Sequence, residues 1–164
     1  EYSWPAVDDE TLLATLERWL LPQMSGVHSL RALKALDVKT ALQNLLDWSL
    51  RQRLDSELPG HYTVPTGSRI AIRYHEDNPP ALAVRMQEMF GEATTPSIAE
   101  GRVPLVLELL SPAHRPLQIT RELGAFWAGR YRDVQKEMKG RYPKHVWPDD
   151  PANTAPTRRT KKYS

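Results

Sequence analysis

The stretch TRELGAFWAGRYRDVQKEMKGRYPKHVWPDDP, residues 120–151, decides how the last third of this 164-residue chain is built. Residues 120–142 predict one long helix, with Thr120 as its N-cap and Pro143 as its end. At about 100° per residue, the large apolar side chains fall on one face, which we expect to be buried. That face consists of Leu123, Trp127, Tyr131, Val134, Met138 and Tyr142, with Phe126 at its edge.

The opposite face of the predicted helix carries side chains of one charge sign. It consists of Arg121, Arg132, Lys136 and Lys139. A purely positive face favours an anionic partner or an acidic surface of the same protein, although solvation alone is equally compatible with it. Gly124 and Gly129 also lie inside the pattern, where glycine costs about 1 kcal/mol relative to alanine. Close packing, or a break at Gly129, would explain that cost.

Prolines and aromatic residues dominate the segment that follows the predicted helix. Pro143, Pro148 and Pro151 predict a stiff, non-helical strap, and Trp147 would clamp it onto the body of the protein. Aromatic side chains also alternate with basic ones from Trp127 to Trp147, a combination that holds single-stranded nucleic acid. Because most of these aromatics share the apolar face, we expect binding to depend on the basic side chains.

Positive charge is concentrated in the last third of the chain. Residues 115–164 contain twelve Lys and Arg against five Asp and Glu, although the net charge of the whole chain is only +2. Such asymmetry predicts a polyanionic partner, or docking onto the acidic part of the chain itself. Residues 152–164 predict a polar tail that lies on the surface or is disordered. Its basic cluster, suited equally to phosphate contact or to keeping the tail soluble, is Arg158, Arg159, Lys161 and Lys162.

The first part of the chain, residues 1–60, predicts a helical subdomain. Asp8 and Asp9 place negative charge at a helix start, where it is favoured. Ser29 and Asp37 are suited to cap the helices that begin directly after them. Apolar residues recur at helical spacing through this part. The last helix is predicted to run over residues 38–58, where a Pro-Gly pair ends it. We expect the aromatic residues of the subdomain to be buried.

From residue 61 the apolar pattern changes to period two, which predicts strands. A hairpin with Gly67 in its turn comes first. The predicted strands are residues 62–64, 69–74, 81–86, 103–110 and 117–119, with a helical turn at residues 87–90. Five strands in this order are typical of an OB-fold, which presents a strand face to single-stranded nucleic acid. The pattern alone is equally compatible with a small sheet.

These elements together predict an α+β fold in four parts. A helical subdomain (residues 1–60) precedes a small five-stranded OB-like antiparallel barrel (residues 61–119). The long helix and the strap follow (residues 120–151), and a basic polar tail ends the chain (residues 152–164).

Five long runs of this sequence are distinctive enough to suggest a family. They are VPTGSRIAIRY (64–74), ALAVRMQEMFGE (81–92), RVPLVLELLSPAHRP (102–116), PLQITRELGAFW (116–127) and YRDVQKEMKGRYPKHVWPDDP (131–151). They resemble the C-terminal domain of HrpB, a family of bacterial ATP-dependent DExH-box RNA helicases. The resemblance extends from about residue 19 to the end of the chain. In DEAH-type helicases, which this family resembles, an OB domain follows a helical-bundle domain.

The resemblance implies an accessory region of a cytoplasmic ATP-dependent RNA helicase whose motor lies elsewhere. A helicase core needs a phosphate-cradling loop that ends in Gly-Lys-Ser/Thr. This chain contains no Gly-Lys pair, since Lys139-Gly140 has the reverse order. We therefore expect no cofactor in this chain and no ATP hydrolysis by it alone. ATP and Mg²⁺ would serve the motor domains of the parent protein.

Other kinds of chemistry have weak support in the sequence. Cysteine is absent, which excludes disulfides and thiolate metal sites and fits a reducing cytosol. The cluster His75-Glu76-Asp77 is a poor metal site, because three adjacent residues cannot easily converge on one ion. No nucleophile motif is present, so we predict neither a catalytic nor a metal residue. No apolar run approaches the ~18 residues of a membrane span.

Two functions follow from these observations. The first is contact with single-stranded RNA or another nucleic acid beside the motor domains of the parent chain. Its candidate residues are Arg121, Arg132, Lys136, Lys139, Lys144, Arg158, Arg159, Lys161 and Lys162. The alternative is a structural module, in which residues 120–151 lock the C-terminus onto the helicase core or dock a protein partner. Exposure of the basic residues, or their coverage by Asp and Glu, would discriminate between them.

Overall fold

The computed structural model describes residues 3–163, and the chain divides into two compact units. Unit 1 is Glu1–Ser56 and unit 2 is Glu57–Ser164. Within the described residues, no helix combines the length and the apolar character that crossing a membrane requires.

Unit 1 is built from short helices whose starts are capped by local side chains. Its helices are α1 (Asp9–Ala14), α2 (Leu16–Trp19), a 3₁₀ turn (Leu21–Met24), α3 (Leu30–Lys34), α4 (Val38–Gln43) and most of α5 (Trp48–Glu57). Carboxylate or hydroxyl oxygens of Asp8, Ser29 and Asp37 accept from backbone N–H groups three residues later, at 2.9, 3.1 and 3.0 Å. The predicted caps Ser29 and Asp37 are therefore confirmed, and Asp8, predicted only to place negative charge at the helix start, is a cap as well.

The single helix predicted over residues 38–58 is wrong, because it is two helices. Between α4 and α5, Asp47 accepts hydrogen bonds from the Leu50 backbone and the Ser49 hydroxyl, both at 2.8 Å. This side chain satisfies N–H groups that a helix start leaves unpaired, so a new helix begins after it. The expectation of buried aromatics is also only partly met, since Trp19 is buried and Trp48 is 73% exposed.

Unit 2 is organised around an open five-stranded sheet. Its strands are β1 (His61–Thr63), β2 (Arg69–Arg73), β3 (Ala81–Arg85), β6 (Val106–Leu110) and β7 (Pro116–Thr120), in the order β1-β2-β3-β6-β7. The predicted first hairpin is confirmed, with Gly67 at φ +84° in its turn. A separate ribbon pairs β4 (Ser97–Ile98) with β5 (Val103–Pro104). A 3₁₀ turn at Met86–Met89 follows β3.

The predicted five-stranded antiparallel OB-like barrel is therefore wrong. Among the described residues, β1 and β7 terminate the strand order without pairing to each other, whereas a barrel requires closure. The neighbours β3 and β6 are parallel, not antiparallel. The predicted strand 103–110 also divides at Leu105, whose N–H donates to the Pro96 carbonyl at 2.8 Å. Its first residues consequently pair with β4, a strand that the sequence did not indicate.

The predicted long C-terminal helix is wrong as well. This part of the chain forms two helices, α6 (Leu123–Ala128) and α7 (Tyr131–Arg141). The first of them ends at Gly129. Glycine is a poor helix residue, so the interruption falls where it costs least. Thr120 is the last residue of β7, and it is not a helix cap. Close packing, the other predicted reason for these glycines, is found at Gly124, because a Cβ built on it would lie 2.9 Å from the Ala93 carbonyl oxygen.

The core of unit 2 lies between the inner face of the sheet, α6 and α7. Aromatic rings from the predicted apolar face pack with centroids 5.3–6.2 Å apart. They belong to Phe126, Trp127 and Tyr131, and Phe90, from the turn that follows β3, joins them. Leu123 and Met138 are fully buried beside it, so the predicted burial of this face is confirmed for these residues.

The strap, residues 143–151, is fastened onto unit 2 itself. Trp147 is only 4% exposed, and its indole N–H donates to the Tyr142 carbonyl at 3.0 Å. The Tyr131 hydroxyl donates to the Pro148 carbonyl at 2.7 Å. The Gly91 N–H donates to the Pro151 carbonyl at 2.9 Å. Trp147 therefore clamps the strap to the body of unit 2, as predicted.

Candidate nucleic-acid interface

The nine basic residues predicted to contact nucleic acid occupy three places on unit 2. Three lie on α7, one precedes α6, one is at the start of the strap, and four lie in the tail. All nine have exposed side chains. Their placement matters because a contact surface needs neighbouring charges and not only a charged composition.

The first place is the α7 ridge, which consists of Arg132, Lys136 and Lys139. These side chains are exposed, while the same helix buries Tyr131, Gln135 and Met138. The burial anchors α7 on the core and turns the ridge toward solvent. The division between a buried and a basic face is the one predicted from the sequence for this part of the helix.

Carboxylates lie beside the α7 ridge, Asp133 and Glu137 on the helix itself and Asp149 on the strap. Asp149 of the strap approaches the Lys139 ammonium at 3.6 Å, and both side chains are exposed. A hydrogen bond from Gln135, together with the charges of Lys139 and Arg132, holds the pKa of Asp149 below its usual value. Exposed pairs of this kind are weak. The ridge therefore keeps a positive excess, although it is not free of acidic neighbours.

Arg121 does not belong to the α7 ridge. It precedes α6, and the interruption at Gly129 removes the helical register that linked it to Arg132. Arg121 instead lines a groove of about 530 Å³ on the sheet, beside β6 and β7. The predicted common face of Arg121 and the α7 side chains was therefore wrong, because it assumed one continuous helix.

The third place is the tail patch, which consists of Lys144, Arg158, Arg159, Lys161 and Lys162. The tail follows the surface of unit 2, where the Thr157 N–H donates to the Gln87 carbonyl at 3.0 Å. The Lys161 N–H donates to the Lys144 carbonyl at 2.8 Å. These backbone contacts place the predicted tail cluster next to Lys144, which the sequence alone could not establish.

A buried carboxylate beside the tail patch escaped the sequence analysis. Glu88 is 4% exposed and accepts from the hydroxyls of Thr66 and Ser68, both at 2.8 Å. Arg85 pairs with its other oxygen at 3.2 Å. Burial raises the pKa of Glu88, but these hydrogen bonds and the Arg85 charge outweigh burial and hold the pKa below its usual value. The Arg-x-x-Glu spacing was the available signal.

The Glu88 cluster also connects the first hairpin to the tail. The Arg158 guanidinium donates to the Ser68 hydroxyl at 3.4 Å. Because Thr66 and Ser68 already donate to Glu88, the hairpin turn is occupied by an internal anion. In the described part of the chain, no three His, Asp or Glu side chains gather in an arrangement that could bind a metal ion.

Comparison with known proteins gives these surfaces a context. The family model for the C-terminal region of ATP-dependent helicases of the HrpB type matches residues 19–151. The chain belongs to the HrpB C-terminal family. The resemblance read from the sequence is thereby confirmed, and the chain corresponds to the C-terminal region of an ATP-dependent helicase.

The HrpB relatives are closely similar over this region. The ATP-dependent RNA helicase HrpB of Escherichia coli (strain K12) is 84% identical over 164 residues, which are all of this chain and 20% of the relative. The crystal structure of the E. coli DExH-box NTPase HrpB matches with a TM-score of 0.91 and 83% identity over 97% of this chain and 20% of that one.

A second HrpB structure shows the same fold. The crystal structure of the E. coli DEAH/RHA helicase HrpB matches with a TM-score of 0.74 and 79% identity, over 89% of this chain and 18% of that one. The chain therefore spans about a fifth of the length of the HrpB proteins it matches.

Proposed function

We propose that this chain is the accessory region through which an ATP-dependent RNA helicase contacts and positions single-stranded RNA. ATP and Mg²⁺ would be bound by motor domains elsewhere in the parent protein. The proposal is carried by the α7 ridge, which exposes Arg132, Lys136 and Lys139 from a helix whose other side is buried. Lys and Arg side chains bind nucleic acids by neutralising backbone phosphates.

The geometry of the α7 ridge suits a polyanion. Its three cations lie at positions i, i+4 and i+7, so they follow one side of the helix over about 10 Å at a rise of 1.5 Å per residue. That length is sufficient to contact more than one phosphate of a strand. The buried side chains Tyr131 and Met138 hold α7 in place. The spacing of the charges therefore exists before any ligand binds, which reduces the cost of binding.

The tail patch provides a second group of phosphate ligands. Lys161 and Lys144 are joined through their backbones, and Arg158 is held at Ser68. Lys144 follows α7 directly in sequence, after the helix ends at Arg141. A strand that leaves the C-terminal end of α7 would thus meet further positive charge.

Fluorescence anisotropy of a labelled single-stranded RNA, titrated at several salt concentrations, tests this function. The variant Arg132→Gln/Lys136→Gln/Lys139→Gln should bind more weakly, with a shallower dependence on salt. Each lost phosphate contact should change the log–log slope by about 0.7. A matched control, Arg31→Gln/Lys34→Gln/Lys39→Gln, removes the same charge from exposed residues of unit 1 and should bind as the unchanged chain does. No binding at low salt would exclude the function.

A second candidate function is docking onto other parts of the parent protein. Among the described residues of unit 1, only Trp19, Ala41 and Leu50 are buried hydrophobic residues. Many large ones are exposed instead, among them Leu13, Leu21, Leu30, Leu33 and Trp48. Apolar surface of this extent is typical of an interaction site. The strap, by contrast, uses its aromatic residue on unit 2, so unit 1 is the better docking surface.

Sedimentation velocity of the chain mixed with the separately produced remainder of the parent protein tests docking. Leu30→Lys/Trp48→Lys should abolish association, because it places charge on exposed apolar positions without touching the buried core. The α7 triple variant is the control and should associate normally. If both variants associate equally well, unit 1 is not the docking surface.

A further inference from the structure

The groove beside β6 and β7 combines apolar side chains with polar and charged ones, unlike the basic surfaces. Sheet register places Ala81 next to Val106, and Glu108 next to Ile119. The groove is lined by His75, Asn78, Pro79, Ala81, Val106, Glu108, Ile119, Thr120 and Arg121. Its volume of about 530 Å³ lies within the range of small-molecule sites.

The floor of the groove is apolar and shallow. Ala81 is too small to fill the space above the sheet, and Val106 continues the apolar surface on the neighbouring strand. Ile119 is 62% exposed on the edge strand β7. A single exposed isoleucine needs no explanation, but here it lines the same concave surface as Ala81 and Val106. A flat, largely apolar group fits such a floor.

The rim of the groove is polar and carries a positive excess. Among the ion pairs of the described residues, none involves Arg121, which lines the groove. Glu108 is paired with Arg73 from β2, so its charge is offset within the sheet. Asn78, Thr120 and His75 add polar side chains at the edge. The rim therefore complements a ligand that combines hydrogen-bonding edges with a negative charge.

We propose that this groove binds one nucleotide of a single-stranded RNA. The base lies on the floor formed by Ala81, Val106 and Ile119, and the adjacent phosphate pairs with Arg121. Glu108 and Asn78 face the hydrogen-bonding edge of the base. This inference rests on the proposed function, since it assigns a base-contacting site to the same strand whose phosphates meet the α7 ridge.

A nucleotide suits the groove better than a peptide segment. A peptide that extends the sheet at β7 would need its backbone groups, yet this strand begins at Pro116, which has no N–H. The unpaired guanidinium of Arg121 also selects for an anionic ligand. Phosphate with an attached planar base provides both the charge and the apolar face that the groove presents.

Methyl NMR of the whole chain tests the groove directly. The chain contains four isoleucines, of which Ile72 and Ile98 are buried and Ile70 is partly buried. Addition of a single-stranded RNA should shift the Ile119 methyl signals through the ring current of a stacked base. The other three isoleucines serve as internal controls. An abasic strand of equal length should bind the α7 ridge but leave Ile119 unshifted.

Two variants provide an independent measurement by anisotropy. Ile119→Glu places a negative charge on the floor and should weaken RNA binding about tenfold, the scale of losing one stacked base. Arg121→Gln should weaken it less and reduce the salt slope by about one phosphate contact. Leu13→Glu, an equally exposed apolar position in unit 1, is the matched control and should have no effect.

The outcomes separate this inference from the proposed function. If the unchanged chain binds no RNA at low salt, both the proposed function and the groove are excluded. If it binds RNA while Ile119 is unshifted and Ile119→Glu binds normally, the groove is excluded and the phosphate-binding function stands. An equal Ile119 shift with the abasic strand would also overturn base contact. A Leu13→Glu effect as large as that of Ile119→Glu would mean that added negative charge alone weakens binding.

Discussion

The buried amide of Gln135 donates a hydrogen bond to the main-chain carbonyl of Trp147 at 3.0 Å. The same nitrogen lies 2.8 Å from the Pro148 carbonyl and from an Asp149 carboxylate oxygen. One side chain of α7 thus satisfies several acceptors of a segment that forms neither helix nor strand. The strap and the helix that carries the basic ridge are consequently one structural unit.

Replacing Gln135 should loosen the strap without changing the ridge charges. We expect Gln135→Ala to lower the free energy of unfolding by about 1–3 kcal/mol, because the buried Trp147 carbonyl loses the donor of Gln135, whereas the Pro148 carbonyl keeps that of Tyr131. Urea unfolding followed by tryptophan fluorescence measures the change. The exposed Gln52→Ala on α5 is the control and should cost less than about 0.5 kcal/mol. Equal effects of the two substitutions would contradict this role of Gln135.

Two glycines of the last third should respond to alanine in opposite directions. Gly124→Ala should destabilise the fold, since its Cβ would lie 2.9 Å from the Ala93 carbonyl oxygen and backbone would have to move. Gly140→Ala should stabilise it by about 0.5–1 kcal/mol, because the new Cβ meets open space within α7. Thermal unfolding of both variants decides this. Stabilisation by Gly124→Ala would show that the close approach is absent.

Glu88 should make stability depend on acidic pH. Its pKa in the folded chain is held below the ordinary value of 4.5, so the carboxylate stabilises the fold above that pH. This stabilisation is lost as the pH falls through the lowered folded pKa, because the protonated acid then loses its charged interactions. Urea unfolding between pH 3 and 7 should show a steeper loss for the unchanged chain than for Glu88→Gln. Parallel curves would contradict the prediction.

A buried and an exposed tryptophan should differ in how much they stabilise the fold. Trp147→Ala should cost about 3–5 kcal/mol, because it removes a buried side chain that closes the strap over unit 2. Trp48→Ala should change the stability of the isolated chain little, since that side chain is largely exposed. The comparison uses chemical unfolding monitored by circular dichroism. A large cost at Trp48 would mean that unit 1 packs this residue in solution.

The sequence by itself determined the features that depend on neighbours in the chain. The caps at Ser29 and Asp37, the first hairpin and the burial of Trp127 and Tyr131 follow from side-chain chemistry and spacing within a few residues. Long, distinctive motifs also identified the family.

Only the tertiary structure decided the features that depend on distant residues. Whether strands close into a barrel depends on which edge strands pair with each other, and here β1 and β7 do not. Residues 103–110 have the local pattern of one strand, but their first two residues pair with β4 instead. The sequence left close packing and a break at Gly129 open for the glycines of the last third, and the structure shows close packing at Gly124 and the break at Gly129. That choice separated Arg121 from the α7 ridge, because a helical register extends no further than its backbone hydrogen bonds.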